Sequence, residues 1–126
     1  MKHYLWNMLA NIKNGQLVKK SLIYQKRKRI CESVLKILWD EGFIMGYKVF
    51  DNKLTIYLKY TKNGQSVINS LKPLSKPGKR IYYTSKQIFK INSSQSFIIF
   101  STNKGLKTIL DCKKLKIGGE PFIIIQ

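Results

Sequence analysis

The chain has 126 residues, of which 24 are lysine or arginine and 6 are aspartate or glutamate, so its formal net charge is +18. Hydrophobic residues make up 44% of it, which is enough for a folded core and excludes a disordered basic tail. The length suits one domain or two small subdomains. Because charge of one sign destabilises a compact chain, the imbalance favours a polyanionic partner, with nucleic acid first and an anionic membrane second.

The apolar runs and the cysteines narrow the class of protein further. The longest runs, at 97–100 and 122–125, are far shorter than the roughly 20 residues of a membrane-spanning helix. The N-terminus shows neither a signal peptide nor a transit peptide. Cys31 and Cys112 have no Cys or His at ligand spacing. We therefore expect two buried thiols in a reducing compartment, with no metal site and no cofactor.

The first half of the chain predicts an antiparallel sheet with helices on one face. Apolar residues recur first at helical spacing and later at a period of two. Asn14-Gly15 predicts a helix stop, and Gly42 predicts a C-cap. Val67, Ile68 and Leu71 either continue the sheet or form a short edge strand. The predicted elements are a helix over 3–13, a strand over 21–24, a helix from 30 to 40, and strands over 43–50 and 54–60.

Residues 72–79 form the predicted linker, because they hold two prolines and a glycine without any periodicity. After the linker, the predicted elements are strands over 80–84, 96–100 and 121–125, a turn of helix over 86–88 capped by Ser85, and a helix over 106–115. The predicted fold class is therefore α+β with two small subdomains packed on each other. The N-terminal subdomain spans 1–71 in α-β-α-β-β order, and the C-terminal subdomain spans 72–126 and is mostly β with one short helix.

The loop Ser101-Thr102-Asn103-Lys104-Gly105 joins a predicted strand to a predicted helix. Hydroxyl and amide groups on a tight turn can bond the 2′-OH groups and base edges of the shallow RNA minor groove. A helix N-terminus directly after the loop would favour phosphate, and Lys104 adds a charge. The same pattern is also typical of an ordinary helix-capping turn.

The Pro-Gly turn in the predicted linker is flanked by cations and tyrosines. Lys76, Lys79 and Arg80 are followed by Tyr82 and Tyr83. Aromatic faces beside cations suit stacking on an unpaired base or a ribose. The alternative is a solvated linker that leads into a strand with one tyrosine in the core. Both interpretations can hold, since adjacent residues of a strand point to opposite faces.

Gly118-Gly119-Glu120 precedes the last predicted strand. Two glycines allow a close backbone approach or a positive φ. Glu120 is one of the 6 acidic residues, and its carboxylate could orient an arginine or accept a hydrogen bond from RNA. An ordinary turn with a surface glutamate is an equally good interpretation of the three residues alone.

A run of four cations, Lys26-Arg27-Lys28-Arg29, stands before the second predicted helix. Such a run is usually a solvated face or a helix start. Adjacent cations nevertheless repel one another, and a track of phosphates relieves that repulsion. Lys13, close to the end of the first helix, is a candidate for a further backbone contact.

Taken together, these segments resemble the bacterial-type small-subunit ribosomal protein eight family, and the similarity runs almost end to end. The combination is specific although no single piece is. The matching pieces are residues 8–16, 40–44, 54–60, 75–82, 101–105 and 118–120. The chain departs from the family in Asn103, which replaces a serine. It also departs at 93–96, where Ser-Ser-Gln-Ser stands in place of Gly-Leu-Gly.

The resemblance implies a structural protein without catalytic residues, which binds a stem of the central domain of small-subunit ribosomal RNA early in assembly. By family, Tyr82, Ser101, Thr102 and Glu120 form one surface that faces RNA. The N-terminal subdomain is expected to touch a second segment of ribosomal RNA and neighbouring ribosomal proteins. Heavy use of Lys, Ile and Asn suggests an AT-rich organellar genome, with a mitochondrion preferred and a plastid or a bacterium as alternatives.

Three other classes fit the sequence less well. A basic ribonuclease would need an acid–base pair, whereas the chain has one histidine, His3, and one adjacent acidic pair, Asp40-Glu41. A DNA-binding module would need a recognition helix with exposed Arg, Asn or Gln, and the second helix is sparse in these. A protein of the membrane surface would need a long cationic amphipathic helix, and the first helix is short and weakly charged.

Overall fold

The computed structural model describes residues 2–68, 70–74, 81–91 and 97–125. It divides into two compact units, Met1–Asn69 and Ser70–Gln126. The described helices are α1 (Lys2–Leu17), α2 (Arg29–Asp40), α3 (Ser85–Phe89) and α4 (Ile109–Leu115). The described strands are β1 (Leu22–Lys26), β2 (Ile44–Phe50), β3 (Lys53–Leu58), β4 (Leu71–Pro73), β5 (Phe97–Thr102), β6 (Gly105–Thr108) and β7 (Glu120–Ile125). Helices beside two antiparallel sheets confirm the predicted α+β class.

The first unit is a three-stranded antiparallel sheet, ordered β1-β3-β2, with both helices on one face. Leu54, Ile56 and Leu58 alternate along β3 and are fully buried or nearly so. The period of two in the sequence therefore selects the face that the helices cover. The α-β-α-β-β order of this unit is confirmed.

The first helix is longer than predicted, and Asn14-Gly15 does not stop it. Gly15 is buried inside α1, which continues to Leu17. The chain leaves the helix at Lys19, whose φ of 59° is left-handed. The Lys19 amide donates to the Gln16 carbonyl and the Lys20 amide donates to the Gly15 carbonyl, which is a Schellman motif with lysine where glycine is usual.

The second helix ends where the sequence predicts. Gly42 has a φ of +81°, its amide donates to the Trp39 carbonyl at 3.0 Å, and the Phe43 amide donates to the Leu38 carbonyl at 2.8 Å. This is a second Schellman motif, and here a glycine holds the left-handed position. Gly42 follows the C-cap residue Glu41.

The second unit is a four-stranded antiparallel sheet ordered β4-β7-β5-β6. Its buried cluster combines residues of α3, β5 and α4. The cluster consists of Ile88, Ile98, Phe100, Ile109 and Cys112. Lys72 and Pro73, at the start of the predicted linker, belong to β4, which pairs with β7. The described residues of this unit form two short helices, α3 and α4, whereas the prediction was one short helix and a single turn of helix.

Two predicted elements of this unit are wrong. The predicted helix over 106–115 is divided, because residues 105–108 form β6 and the helix begins at Ile109. Thr108 caps that helix, and its Oγ1 accepts from the Asp111 amide at 3.1 Å. The predicted strand over 80–84 is reduced in the described residues 81–84 to an isolated bridge between Tyr83 and Gly119. Thr84, rather than Ser85, caps α3.

Candidate nucleic-acid interface

The Ser-Thr loop is the turn of a β-hairpin. Thr102 pairs with Gly105, and Ser101 pairs with Leu106. The expectation that a helix N-terminus follows this loop directly is therefore wrong, since β6 comes first. Gly105 has a φ of +99° with no atom within 4 Å of the position of a Cβ, so the turn needs its backbone freedom rather than its small size.

The Thr102 hydroxyl belongs to the turn. Its Oγ1 donates to the Gly105 carbonyl at 2.7 Å and accepts from the Lys104 amide at 3.1 Å. A hydroxyl has one proton and two lone pairs. One lone pair of Thr102 is thus left to accept a hydrogen bond from a ligand, while its proton is already committed to the hairpin. Asn103 and Lys104, at the tip, are exposed.

The Gly118-Gly119 pair lets two stretches of chain meet without side chains between them. A Cβ on Gly118 would lie 2.6 Å from the Tyr83 carbonyl oxygen, and a Cβ on Gly119 would lie 2.8 Å from Thr102 Cγ2. Tyr83 and Gly119 exchange two main-chain hydrogen bonds of 2.9 Å each. Both glycines are therefore required for close approach.

The two tyrosines point in different directions, as expected, although they do not lie in a regular strand. Tyr83 turns towards the core, with its ring centroid 6.3 Å from that of Phe100. Tyr82 is 67% exposed. Its hydroxyl lies 2.9 Å from the position that a Cβ on Gly118 would take.

The three sequence segments therefore meet at one end of the four-stranded sheet. Glu120 pairs with Ser101 across β7 and β5. Gly119 lies against Thr102, so close that a Cβ would be 2.8 Å from Thr102 Cγ2, and it bridges to Tyr83, next to Tyr82. We call this set the hairpin surface: Tyr82, Ser101, Thr102, Gly119 and Glu120. The other predicted members near the Pro-Gly turn lie outside the described residues, and they are Lys76, Lys79 and Arg80.

The predicted cation run lies in the first unit, at the junction of β1 and α2. Three of its members already have partners. Arg27 Nε lies 3.1 Å from Glu32 Oε2, and Lys28 Nζ lies 4.4 Å from the centroid of the Tyr4 ring. Lys26 Nζ lies 5.7 Å from the same ring. The run is thus an ordered cationic corner rather than four free side chains.

Arg29 and Lys13 complete the predicted contacts of the first unit, and both are exposed. Arg29 is the first residue of α2, after the N-cap residue Lys28, whose side chain makes no capping hydrogen bond. Lys13 lies on α1, whose buried stripe contains Met8, Leu9 and Ile12. Both cations are placed where a phosphate could reach them.

A cationic groove between α3 and α4 was not predicted. It has a volume of about 350 Å³ and is lined by Ser85, Lys86, Phe89, Lys90, Lys113 and Lys116. Lys113 Nζ donates to the Ile91 carbonyl at 2.6 Å and so joins the two helical segments. The spacing of four between Lys86 and Lys90 on a short helix was the available signal, since it places both on one face.

The cysteines carry no chemistry of their own. Burial raises the pKa of both the Cys31 and the Cys112 thiol, so both stay protonated and unreactive near neutral pH. Within the described ranges, no group of three or more His, Cys, Asp or Glu side chains could hold a metal ion. None of the described helices is long and apolar enough to cross a membrane.

Comparison with known proteins gives one consistent result. Residues 4–125 match the model of a family described as ribosomal protein S8. The chain is 38% identical to the small ribosomal subunit protein uS8 of Wigglesworthia glossinidia brevipalpis, covering 100% of this chain and 98% of the relative. It is 36% identical to the uS8 protein of Halothermothrix orenii, over 90% of this chain and 89% of the relative. It is 34% identical to the uS8 protein of Borrelia hermsii, over 94% of this chain and 92% of the relative.

Proposed function

This chain belongs to the ribosomal protein S8 family, and from that premise we propose that it binds a stem of the central domain of small-subunit ribosomal RNA through the hairpin surface. Family membership makes it a structural protein of the small ribosomal subunit and confirms that it is not an enzyme. Its partners are accordingly small-subunit ribosomal RNA and neighbouring ribosomal proteins. Its contribution to translation is to help the subunit assemble and hold its shape.

The observation that carries the proposal is the convergence of three separate segments on one surface. Ser101 and Glu120 are paired across neighbouring strands. Tyr82 is held beside them by the bridge between Tyr83 and Gly119. A hydroxyl, a carboxylate and an exposed aromatic ring in one place suit the minor groove of a stem with an unpaired base.

Each group of the hairpin surface has a definite role in this proposal. The Thr102 lone pair accepts from a ribose 2′-OH, because its proton is committed to the Gly105 carbonyl. Glu120 accepts from RNA as well, since an ionised carboxylate has no proton to donate. Ser101 can donate or accept, and the Tyr82 ring stacks on a base or a ribose.

Cations supply the remainder of the binding energy. Lys104 lies at the tip of the hairpin, and the sequence adds Lys76, Lys79 and Arg80 as further proposed contacts. On the first unit they are Lys13, Lys26, Arg27, Lys28 and Arg29. We propose that the second group contacts a different segment of ribosomal RNA and that both groups act on phosphates, which fix position without reading sequence.

We propose a mitochondrial ribosome as the site of action, because the use of Lys, Ile and Asn points to an AT-rich organellar genome. The relatives described above come from bacteria, so a plastid or bacterial ribosome is the alternative. Mapping the coding gene to a mitochondrial, plastid or bacterial chromosome distinguishes the three.

The test is a competition assay on the purified protein at near-physiological salt. A central-domain ribosomal RNA stem competes with a scrambled stem of equal length and with duplex DNA. We expect a strong preference for the native stem. Ser101→Ala should weaken binding to that stem by about 0.5–1.5 kcal/mol, the value of one hydrogen bond. Tyr82→Leu should weaken it by about 1–3 kcal/mol, the value of one stacked base.

Both variants should leave binding to the scrambled stem unchanged. Ser21→Ala serves as the matched control, because Ser21 is exposed and lies in the first unit. Equal losses on the native and the scrambled stem would mean that the hairpin surface is structural. Equal affinity for duplex DNA and both stems would instead favour the alternative of a basic DNA-binding module.

A further inference from the structure

The three-stranded sheet of the first unit leaves one face open. The helices cover the face that carries Leu54, Ile56 and Leu58. Successive side chains of a strand alternate between faces, so Lys53, Thr55 and Tyr57 of β3 point away from the helices. The same face includes the residues of β1 and β2 that stand opposite these three.

The register gives the neighbours on the open face. Tyr24 and Lys48 flank Thr55, and Lys26 and Phe50 flank Lys53. Strands lie roughly 4.8 Å apart, so each flanking pair is separated by about 10 Å. We call this surface the open sheet face and define it by its three aromatic and three cationic side chains: Tyr24, Phe50, Tyr57, Lys26, Lys48 and Lys53. Lys26 lies on the edge strand β1, and its Nζ also lies 5.7 Å from the centroid of the Tyr4 ring of α1.

The aromatic side chains of the open sheet face are unusually accessible. Phe50 is 82% exposed and Tyr24 is 65% exposed. A concavity of about 660 Å³ lies at this end of the sheet and is lined in part by Tyr24, Lys26 and Lys53. At the other end, Lys48 Nζ lies 5.9 Å from the centroid of the Tyr57 ring. Large aromatic rings exposed beside cations mark a binding surface rather than a solvated one.

Charge decides between the possible occupants. The three charged residues of the open sheet face are all lysines. An acidic residue, Asp51, is exposed in the turn between β2 and β3. A second copy of the chain would bring lysines against lysines on a molecule of net charge +18, which like-charge repulsion opposes. An acidic protein would match the charge but would not require flat rings spaced between the cations. Unpaired RNA matches both features, because its bases offer π-faces and its phosphates offer charge.

We propose that the open sheet face binds an unpaired stretch of RNA, with bases stacked on Tyr24 and Phe50 and phosphates held by Lys26, Lys48 and Lys53. The proposal rests on the proposed function for the choice of RNA as partner and for Lys26, which that function already assigns to a phosphate. It concerns a different unit and a different form of RNA from the stem at the hairpin surface. Each can therefore fail without the other.

The experiment uses the full chain and a fluorescent ten-nucleotide oligouridylate, which forms no stem, with binding followed by anisotropy. Tyr24→Leu and Phe50→Leu keep apolar bulk but remove the flat rings. We expect each to weaken binding by about tenfold, and the double variant by about a hundredfold, from the value of a stacked base. Affinity for the central-domain stem should stay within about twofold, because that stem occupies the hairpin surface.

Leu110→Ala is the control, because Leu110 is 50% exposed, lies in the second unit and is not among the residues that line the cationic groove. Unfolding midpoints equal to the parent protein's show that the variants are folded. The proposal is overturned if the double variant binds the oligonucleotide within twofold of the parent protein, or if Leu110→Ala weakens binding as much as either single variant. It is also overturned if sedimentation shows a dimer that Phe50→Leu dissociates, since the face would then join two copies.

Discussion

Gly15 shows how one missing side chain sets the distance between a helix and a sheet. A Cβ at this position would lie 2.9 Å from Ile23 Cγ2 and 3.2 Å from Leu58 Cδ1. Ile23 belongs to β1 and is buried, and its Cγ2 is attached to a branched Cβ that cannot turn away easily. The glycine therefore allows α1 to lie directly on the strands.

Gly15→Ala has two opposing effects on the unfolding free energy. Alanine favours a helix over glycine by about 1 kcal/mol, but overpacking costs about 1–3 kcal/mol. Because the contact involves a β-branched side chain in a sheet, we expect the overpacking to prevail and the protein to lose about 1 kcal/mol of unfolding free energy. Urea denaturation followed by circular dichroism measures the change.

Asn14→Ala is the control for this variant, because Asn14 is the preceding residue of α1 and is exposed. It should leave stability unchanged or raise it by a few tenths of a kcal/mol through helix propensity. A stabilised Gly15→Ala protein would show that the helix can move away from the sheet at little cost.

At the scale of elements, short polar motifs decide where the helices of the second unit begin. Thr84 and Gln87 form a capping box: Gln87 N donates to Thr84 Oγ1 at 3.3 Å, and Thr84 N donates to Gln87 Oε1 at 2.9 Å. Thr108 caps α4 with a single hydrogen bond, in which its Oγ1 accepts from the Asp111 amide. Helices of five and seven residues have few hydrogen bonds of their own, so each cap satisfies a sizeable share of their main-chain donors.

Thr84→Ala should lower the unfolding free energy by about 1 kcal/mol, because it leaves the Gln87 amide of α3 without its side-chain acceptor. Thr84→Ser retains the hydroxyl, and its effect should be within a few tenths of a kcal/mol, since Thr84 is exposed. Chemical denaturation midpoints provide the comparison. Equal losses for the two variants would mean that the methyl group, and not the cap, is what matters.

The sequence predicts these elements unevenly, for physical reasons. Strands with one buried face are predicted correctly, because the alternation of apolar and polar residues can be read directly from the sequence of the strand itself. The division of residues 105–115 into β6 and α4 was missed, because Leu106 and Lys107 join the sheet only through pairing with β5, which local propensity does not contain. The capping signal at Thr108 and Asp111 was present and would have placed the helix start correctly.

The residues of the candidate site were predicted, and the family resemblance implies that Tyr82, Ser101, Thr102 and Glu120 share one surface, but the contacts that bring them together were not predicted. The three segments of the hairpin surface are visible in the sequence only as separate turns. Their meeting depends on the pairing of Ser101 with Glu120 and on the bridge from Tyr83 to Gly119. The engagement of the Thr102 proton within the turn also follows from folding, and a sequence pattern cannot reveal it.

At the scale of the whole molecule, the net charge of +18 dominates behaviour away from the specific contacts. The 24 lysines and arginines share 6 aspartates and glutamates, and Arg27 with Glu32 is an example of a cation that has an acidic partner. Unpaired cations destabilise the free protein slightly and favour binding to a polyanion. They also make the affinity depend on salt.

Binding of the central-domain stem should therefore weaken steeply with salt. If about 6–10 phosphates are neutralised, the affinity should fall by about 10³–10⁵ between 50 and 200 mM salt. Arg29→Gln should reduce the slope of log affinity against log salt by about one. A salt titration by anisotropy measures both quantities.

Lys36→Gln is the matched control, because Lys36 is exposed on the same helix outside the cation run. The slope of log affinity against log salt for Lys36→Gln should equal that of the parent protein. A slope that changes equally for both variants would mean that the cation run contributes general charge rather than a contact to phosphate.

The position of the two cysteines has a practical consequence. Cys31 is fully buried in the first unit and Cys112 is 1% exposed in the second, and the chain has 2 cysteines. Each unit thus contains a single thiol that a modifying reagent can reach only when that unit opens. The rate of labelling at each cysteine, read separately by mass spectrometry, reports the opening of one unit independently of the other. The natural sequence therefore carries one opening reporter per unit, and the effect of RNA binding on each unit can be followed without an engineered probe.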